Sequence, residues 1–401
     1  MANNSLLKKT EVAIKNRFNK RNGKIWLFGE WFGNKCCDNS LFLANYVVEH
    51  DPSVRVYWAA NKGANLELLD KRVKVIERDT PKSIEIYKKA GVVCMNQGIQ
   101  DFSDAPFNYF AGAVTVNMWH GVPWKKIFLD SAKTTSLFGR FADYMAIKMS
   151  GAKYYQSLSK EFDFILQTGA KVKSKNIIRA GYPRNSMFYD GDKCSAARDK
   201  ILRLINAEKA SDGAGDFAKK DSRIIAYMPT FRDSGQKVFS FNSIVGTELY
   251  DYLVRNNIVI VEKNHYADVN GSSEATVDNK CVVNLPDCNA PELLAAADIL
   301  ITDYSSCFFD YLVLDRPIIH YIYDYEYYSK KDRGLYYGKS KVLCGDGPTD
   351  IEGLTKSIKD AVENPDKDSA LRAMRRKRFM TYENENGCRD IYEFILKKLR
   401  R

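Results

Sequence analysis

The chain has 401 residues, 45% of them hydrophobic and 28% charged, with a net charge of +11. That length exceeds one ordinary core and suits two domains of about 150–200 residues, and the composition is that of a globular protein, not a disordered or fibrous one. No stretch approaches the roughly 18 uncharged apolar residues of a membrane-spanning helix, and none near the N-terminus has the form of a signal peptide, so a cytoplasmic location is expected.

The nine cysteines show no Cys-x-x-Cys spacing, which argues against a zinc site or a disulfide framework. The positive charge points to an anionic partner: nucleic acid, acidic lipid or a phosphorylated polymer. No zinc finger, RNP-type aromatic motif or basic zipper is present, so no nucleic-acid partner is expected.

In chain order, the first 24 residues carry seven Lys/Arg and one Glu, with Leu7, Ile14 and Phe18 at helical spacing. Two readings are open for this segment: a basic helix lying on an anionic membrane surface, or a solvated helix packed on the body. Short apolar runs then alternate with helix-length segments: "KIWLFG", "VRVYWAA", "VKVI", "GVVCMN", "AVTVNMW", "YMAIK", "NIIRAGYP", "RIIAYMP", "NIVIVEKN", "KCVVNL", "DILITD" and "RPIIHYI". Continuous apolar runs of this length fit parallel strands buried on both faces, so the fold class is α/β with βαβ units. A stretch poor in residues to bury, around 210–221, separates two doubly wound halves. The expected division is a basic segment 1–23, a Rossmann-like domain 24–190, a helix and linker 191–222, a second Rossmann-like domain 223–380 and a C-terminal helix 381–401. In such sheets ligands bind beyond the carboxyl ends of the strands. With two domains those ends face each other across a cleft, and polar residues just after strands become the candidates.

His120 and His265 each follow a strand, in "AVTVNMWHGVPWKK" and "NIVIVEKNHYAD". His120 suits a general base of near-neutral pKa; the alternative is a turn histidine packed on Trp119. Gly121 allows close backbone approach, and Lys125 and Lys126 are expected at a helix start, where cations oppose the dipole and make sense beside an anion. His50 reads as a surface residue at a helix end and His320 as a core histidine. In "DILITDYSSCFFDYLVL", Ser305 or Ser306 is expected to cap a helix whose free N–H groups attract phosphate, with Asp303 just before it. Arg184, Thr230, Arg232, Lys263 and Arg333 sit in further strand-end clusters and point to a doubly phosphorylated substrate. The Asp-x-Asp pairs Asp190–Asp192 and Asp366–Asp368 follow no strand and read as turns, and neither a P-loop nor a dinucleotide fingerprint is present. No metal is expected.

The motifs "WHGVPWKKI", "GYPRN", "YMPTFRD", "ITDYSSCFFDYLVLDRPIIHY" and "RGLYY" come in this order, after "FGEWFGNKCCDNSLFLANYVVE". Together they resemble the CDP-glycerol glycerophosphotransferase family: teichoic acid primases and polymerases of Gram-positive bacteria, with relatives that use CDP-ribitol or build capsular polymers. The resemblance spans roughly Lys24 to Met380. It implies a GT-B-like fold and transfer of polyol phosphate from CDP-glycerol or CDP-ribitol to a hydroxyl on an undecaprenyl-linked acceptor, with CMP released. CDP-polyol is then a co-substrate, no cofactor is needed, and the enzyme works at the cytoplasmic face of the membrane. By motif, His120 is the general base and His265 the family's second histidine, although its segment reads "EKNHY", with Lys263 for the usual arginine and no proline. Ser305 and Ser306 match the pyrophosphate-binding helix start and Asp303 the acid before it; Arg184, Arg232 and Arg333 match motif arginines. A GT-B nucleotide-sugar glycosyltransferase and a catalytically silent polymer-binding protein are the competing expectations.

Overall fold

The computed structural model of the chain describes residues 16, 18–104, 109–131, 136–210, 217–230, 238–263, 279–331 and 334–400. Most of the basic segment 1–23 lies outside the described residues, and so do Arg232, His265 and Arg333. The chain divides into two compact units. The first comprises Met1–His120, Ile127–Ser186 and Phe379–Arg401; the second comprises Gly121–Lys126 and Met187–Arg378.

In the first unit the chain forms β1 (Asn22–Phe28), α1 (Asn39–His50), β2 (Arg55–Ala60), β3 (Lys74–Glu77), α2 (Pro81–Lys89), β4 (Ala90–Met95), β5 (Val114–Asn117), α3 (Leu137–Ser150), β6 (Tyr154–Ser157), α4 (Lys160–Thr168) and β7 (Ile177–Arg179). The seven strands pair in parallel in the order β3-β2-β1-β4-β5-β6-β7. Trp26, Leu27 and Phe28 of β1 and Val92, Val93 and Cys94 of β4 are fully buried, because helices cover both faces of a parallel sheet. Strand order reverses between β1 and β4, and that switch point opens a crevice at the carboxyl ends.

The second unit holds α5 (Gly191–Ala210), β8 (Arg223–Met228), α6 (Glu248–Arg255), β9 (Ile258–Glu262), β10 (Val282–Asn284), α7 (Ala290–Ala296), β11 (Ile299–Thr302), α8 (Cys307–Tyr311), β12 (Ile318–His320), α9 (Tyr325–Lys331), α10 (Ile351–Glu363) and α11 (Ser369–Phe379). Its five parallel strands run β10-β9-β8-β11-β12, with the switch point between β8 and β11. Local sequence explains many helix starts: Asp38, Thr80, Ser159, Thr247 and Asn289 each accept a backbone N–H of the first turn.

Three features differ from the expectations. "YMAIK" is not a strand but part of α3, and the strand beside it is "YYQS". The helix expected at the start of 191–222 is present as α5, but where the expected division set it apart from both domains it belongs to the second unit, with Arg198 donating to the Ala296 and Ser222 carbonyls and to Asp298. The final helix, α12 (Gly387–Leu399), is part of the first unit's core; Cys388, Ile391 and Ile395 pack with Leu43, Val47 and Val56.

Candidate active site

In the first unit, polar residues collect where β1, β4, β5 and β7 end. After β1, Trp31, Phe32 and Gly33 adopt left-handed φ angles of 47°, 56° and 79°. For the two non-glycine residues that costs about 1–2 kcal/mol each, and the turn persists because its backbone is held on several sides. Trp31 N–H donates to Gln97 Oε1 (2.8 Å) and Phe32 N–H to Asp101 Oδ1 (3.0 Å), while Arg78 Nη1 donates to the Phe32 carbonyl. Glu30, fully buried, accepts the N–H groups of Cys37 and Asp38. Burial, with Asp38 nearby, pushes its carboxyl well above the usual carboxylate range against those two donors.

After β5, Trp119 has φ 58° and Gly121 φ 151°. His120 between them is half-buried, its ring 4.6 Å from Trp119 in a stacked arrangement and 6.0 Å from Trp31. Its Nδ1 is shielded and hydrogen-bonds to no described residue. Burial lowers the His120 pKa below 6.5; Asp38 opposes this, Arg184 adds to it, and the Asn96 carbonyl opposes it. The imidazole is therefore neutral at pH 7 and able to take a proton. Arg184 is 6% exposed and paired with Asp38, so its charge is matched inside the unit.

In the second unit the turn after β11 meets the end of β8. Asp303, 2% exposed, accepts the N–H of Thr230 (2.8 Å) and of Tyr304 (2.5 Å) on Oδ1. This carboxylate thus orients backbone across the switch point. Tyr304 donates to Asp324 (2.8 Å) and stacks on Tyr328 at 3.8 Å. The expected helix after Ser306 is short: α8 has five residues, and the Ser306 side chain makes no capping bond. Ser305 Oγ accepts from Cys307 N–H at 3.4 Å, a weak bond. The serine hydroxyls line the turn, but a long helix dipole does not stand behind them.

Lys125 and Lys126 do not open a helix. They lie in an extended strap that pairs with residues around Gly334 and Leu335, Lys126 N–H donating to the Gly334 carbonyl at 3.0 Å. Lys125 Nζ lies 5.1 Å over Tyr328. Trp124 anchors the strap: it is 1% exposed, donates to the Tyr337 carbonyl (2.8 Å), and its ring lies 5.7 Å from Tyr304 and 6.2 Å from Phe308. Lys263 donates to the Pro286 carbonyl at 2.5 Å. His50 is exposed and stacks on Tyr46; His320 is fully buried, 3.5 Å from the Asp303 carbonyl, and burial lowers its pKa to about 4.

The candidates thus fall into two sets. His120, Gly121 and Arg184 stand at the β5 and β7 ends, although Gly121 itself begins the strap; Thr230, Asp303, Ser305, Ser306, Lys125 and Lys126 belong to the second unit with Lys263. Glu30, Trp31, Asp38, Asn39 and Asn96 are not among the candidates the sequence singles out, although Glu30 directly follows the run "KIWLFG" and Asn96 ends the run "GVVCMN". Among the described residues no group of three or more His, Cys, Asp or Glu is placed to hold a metal ion, and no helix is long and apolar enough to cross a membrane.

The chain is 27% identical over 383 residues to the teichoic acid glycerol-phosphate transferase of Staphylococcus aureus, covering 94% of each chain. It is 28% identical over 356 residues to the teichoic acid poly(glycerol phosphate) polymerase of Bacillus spizizenii, covering 86% of this chain and 83% of that one. A solved structure of the wall teichoic acid polymerase TagF superposes with a TM-score of 0.80 at 22% identity, over 100% of this chain and 96% of the other. That likeness shows the fold, which is GT-B-like. The family profile described as CDP-Glycerol:Poly(glycerophosphate) glycerophosphotransferase matches residues 12–397, and so takes in both sheets and all the motifs quoted above. This chain therefore belongs to the CDP-glycerol:poly(glycerophosphate) glycerophosphotransferase family of transferases.

Proposed function

We propose that this protein transfers glycerol phosphate from CDP-glycerol to a hydroxyl of a lipid-linked acceptor and releases CMP. The observation that carries the reading is the place of His120: half-buried at the end of β5, with a shielded Nδ1 that bonds to no described residue, where burial favours the neutral ring. In the proposed step the acceptor hydroxyl gives its proton to His120 and its oxygen attacks the phosphorus that bears glycerol. The bond from that phosphorus to the bridging oxygen breaks, and CMP leaves with the bonding electrons. Charge grows on the transferring phosphoryl and on CMP, so donors fixed in advance lower the barrier. The turn Asp303–Ser306 and the cations Lys125 and Lys126 of the second unit would supply them, with Thr230 and Lys263 nearby in sequence to strand ends. Arg232, His265 and Arg333 complete the proposed set by motif.

Two exposed phenylalanines on α3, Phe138 and Phe141, support contact with a membrane surface, as a lipid-linked acceptor requires. The reaction is tested by CMP release from CDP-glycerol and CDP-ribitol side by side, with a lipid-linked acceptor. CDP-glycerol is expected to be the better donor, and His120→Ala to lose about 10²–10⁴-fold in turnover, the usual contribution of a general base. CMP release at the wild-type rate by that variant would sink the assignment. Equal or faster release from CDP-ribitol would move the donor choice, and UDP or GDP release from nucleotide sugars would replace the reading.

A further inference from the structure

We infer that Asn39 is a positioning residue for His120, fixing the backbone that presents the imidazole; the inference rests on the reading of His120 as the general base. Asn39 opens α1, and its main-chain N–H is held by the cap Asp38 at 2.7 Å. Its side chain is fully buried and bonds to two other strand ends. Nδ2 donates to the Trp119 carbonyl at 3.0 Å, with the Met118 carbonyl at 3.5 Å, and Oδ1 accepts the Arg184 N–H at 3.2 Å.

Trp119 needs such a hold. Its φ of 58° is left-handed, a conformation a bulky residue keeps only where its surroundings impose it. The surroundings here are two asparagines. Asn117 Oδ1 accepts the Trp119 N–H at 2.8 Å, and Asn39 takes the Trp119 carbonyl. The peptide that Asn39 grips is the one that joins Trp119 to His120, so the direction of the imidazole follows from that bond. Through Oδ1 the same amide sets the backbone of Arg184, whose guanidinium pairs with Asp38. The two charges that act on His120, Asp38 and Arg184, are therefore located by the residue that locates its peptide. A carboxamide is suited to this place because it donates to one carbonyl and accepts from one N–H at once.

The test uses the full chain. Asn39→Asp keeps an acceptor for Arg184 and removes the donor to Trp119; Asn39→Ala removes both. Each is expected to lower kcat for CMP release by about 10–100-fold, the scale of a small misplacement of a reacting group. KM for CDP-glycerol is expected to stay within about twofold. In parallel, the His120 ring is followed by NMR across pH, with His120→Gln identifying its signal. Its midpoint is expected to rise toward the ordinary histidine value in Asn39→Ala, which adds no charge, as the ring loses its shielded position. A folded Asn39→Ala protein with wild-type kcat and an unmoved His120 titration would overturn the inference. So would a rise in KM as large as the fall in kcat, which would make Asn39 a substrate contact. If both Asn39 variants fail to fold, Asn117→Ser releases the other side of Trp119 and must show the same two effects. Should the wild-type chain release no CMP from CDP-glycerol, the proposed reaction falls, and the His120 titration still decides the positioning role.

Discussion

The Arg184 guanidinium donates to Asp38 inside the first unit and so ties the segment after β7 to the cap of α1. Both residues are under 7% exposed. Removing one partner of a buried pair strands the other charge, which typically costs about 3–5 kcal/mol. Asp38→Asn and Arg184→Gln are each expected to lower the urea midpoint strongly, and the double variant less than their sum. The rate profile separates the two charges. Asp38 raises the His120 pKa and Arg184 lowers it. The acidic limb of kcat is therefore expected to move to lower pH in Asp38→Asn and to higher pH in Arg184→Gln.

The turn after β11 divides its work between side chains. Asp303 is buried and holds Thr230 N–H, whereas Ser305 and Ser306 are only half-buried. Ser305→Ala and Ser306→Ala are each expected to weaken CDP-glycerol binding by about tenfold or more, the scale of a hydrogen bond to a charged group. Asp303→Asn is expected to lower kcat more than affinity, because it loosens backbone orientation. Calorimetric titration with the donor checks this; unchanged affinity in both serine variants would return the hydroxyls to a structural role.

His320 predicts a pH dependence of stability. It is fully buried, and its pKa is lowered to about 4 from 6.5. Between those values the unfolded chain binds the proton and the folded one does not, so stability rises with pH. The contribution is present above about pH 6.5 and lost as pH falls to about 4, on the order of 3 kcal/mol in all. His320→Phe is expected to flatten the urea midpoint of the full chain across that window. A His320→Phe midpoint that changes between pH 7.5 and 4.5 just as the wild-type midpoint does would refute it.

Phe138 and Phe141 lie three residues apart on α3, hence on one face, 82% and 60% exposed. Burying one such side chain is worth about 1.5–3 kcal/mol. The double variant Phe138→Ser with Phe141→Ser is expected to bind anionic vesicles at least tenfold more weakly in a sedimentation assay, with CMP release to a water-soluble acceptor unchanged. Undiminished vesicle binding would place the membrane contact elsewhere.

The alternation of strands and helices was legible because parallel strands are covered on both faces and read as unbroken apolar runs. β6 broke that rule. Gln156 and Ser157 are fully buried in it, with Gln156 donating to the Ala180 and Gly181 carbonyls and Ser157 to Ser159. A polar strand satisfied from inside carries no apolar signature, whereas the apolar "YMAIK" of α3 reads as a strand from sequence. At the candidate site, His120 stands out in the sequence because it directly follows an apolar strand-like run in a chain with only four histidines. Asn39 was not: it follows an aspartate in a helix start, where either residue reads as a cap. Its role depends on the Trp119 carbonyl, eighty residues away, which no local pattern encodes.

The place of α12 has a consequence for synthesis. Ile391 and Ile395 fill a core whose other walls, Leu43, Val47 and Val56, are made near the start of the chain. At about 5–20 residues per second, a growing chain waits on the order of tens of seconds between making the strands of that sheet and releasing the helix that seals it. Throughout that interval the apolar face under α12 stays open, and the second unit's residues are translated before the first core is complete. The first unit is thus expected to depend on a holding chaperone during that interval, and to acquire its native resistance to protease only once α12 has left the ribosome.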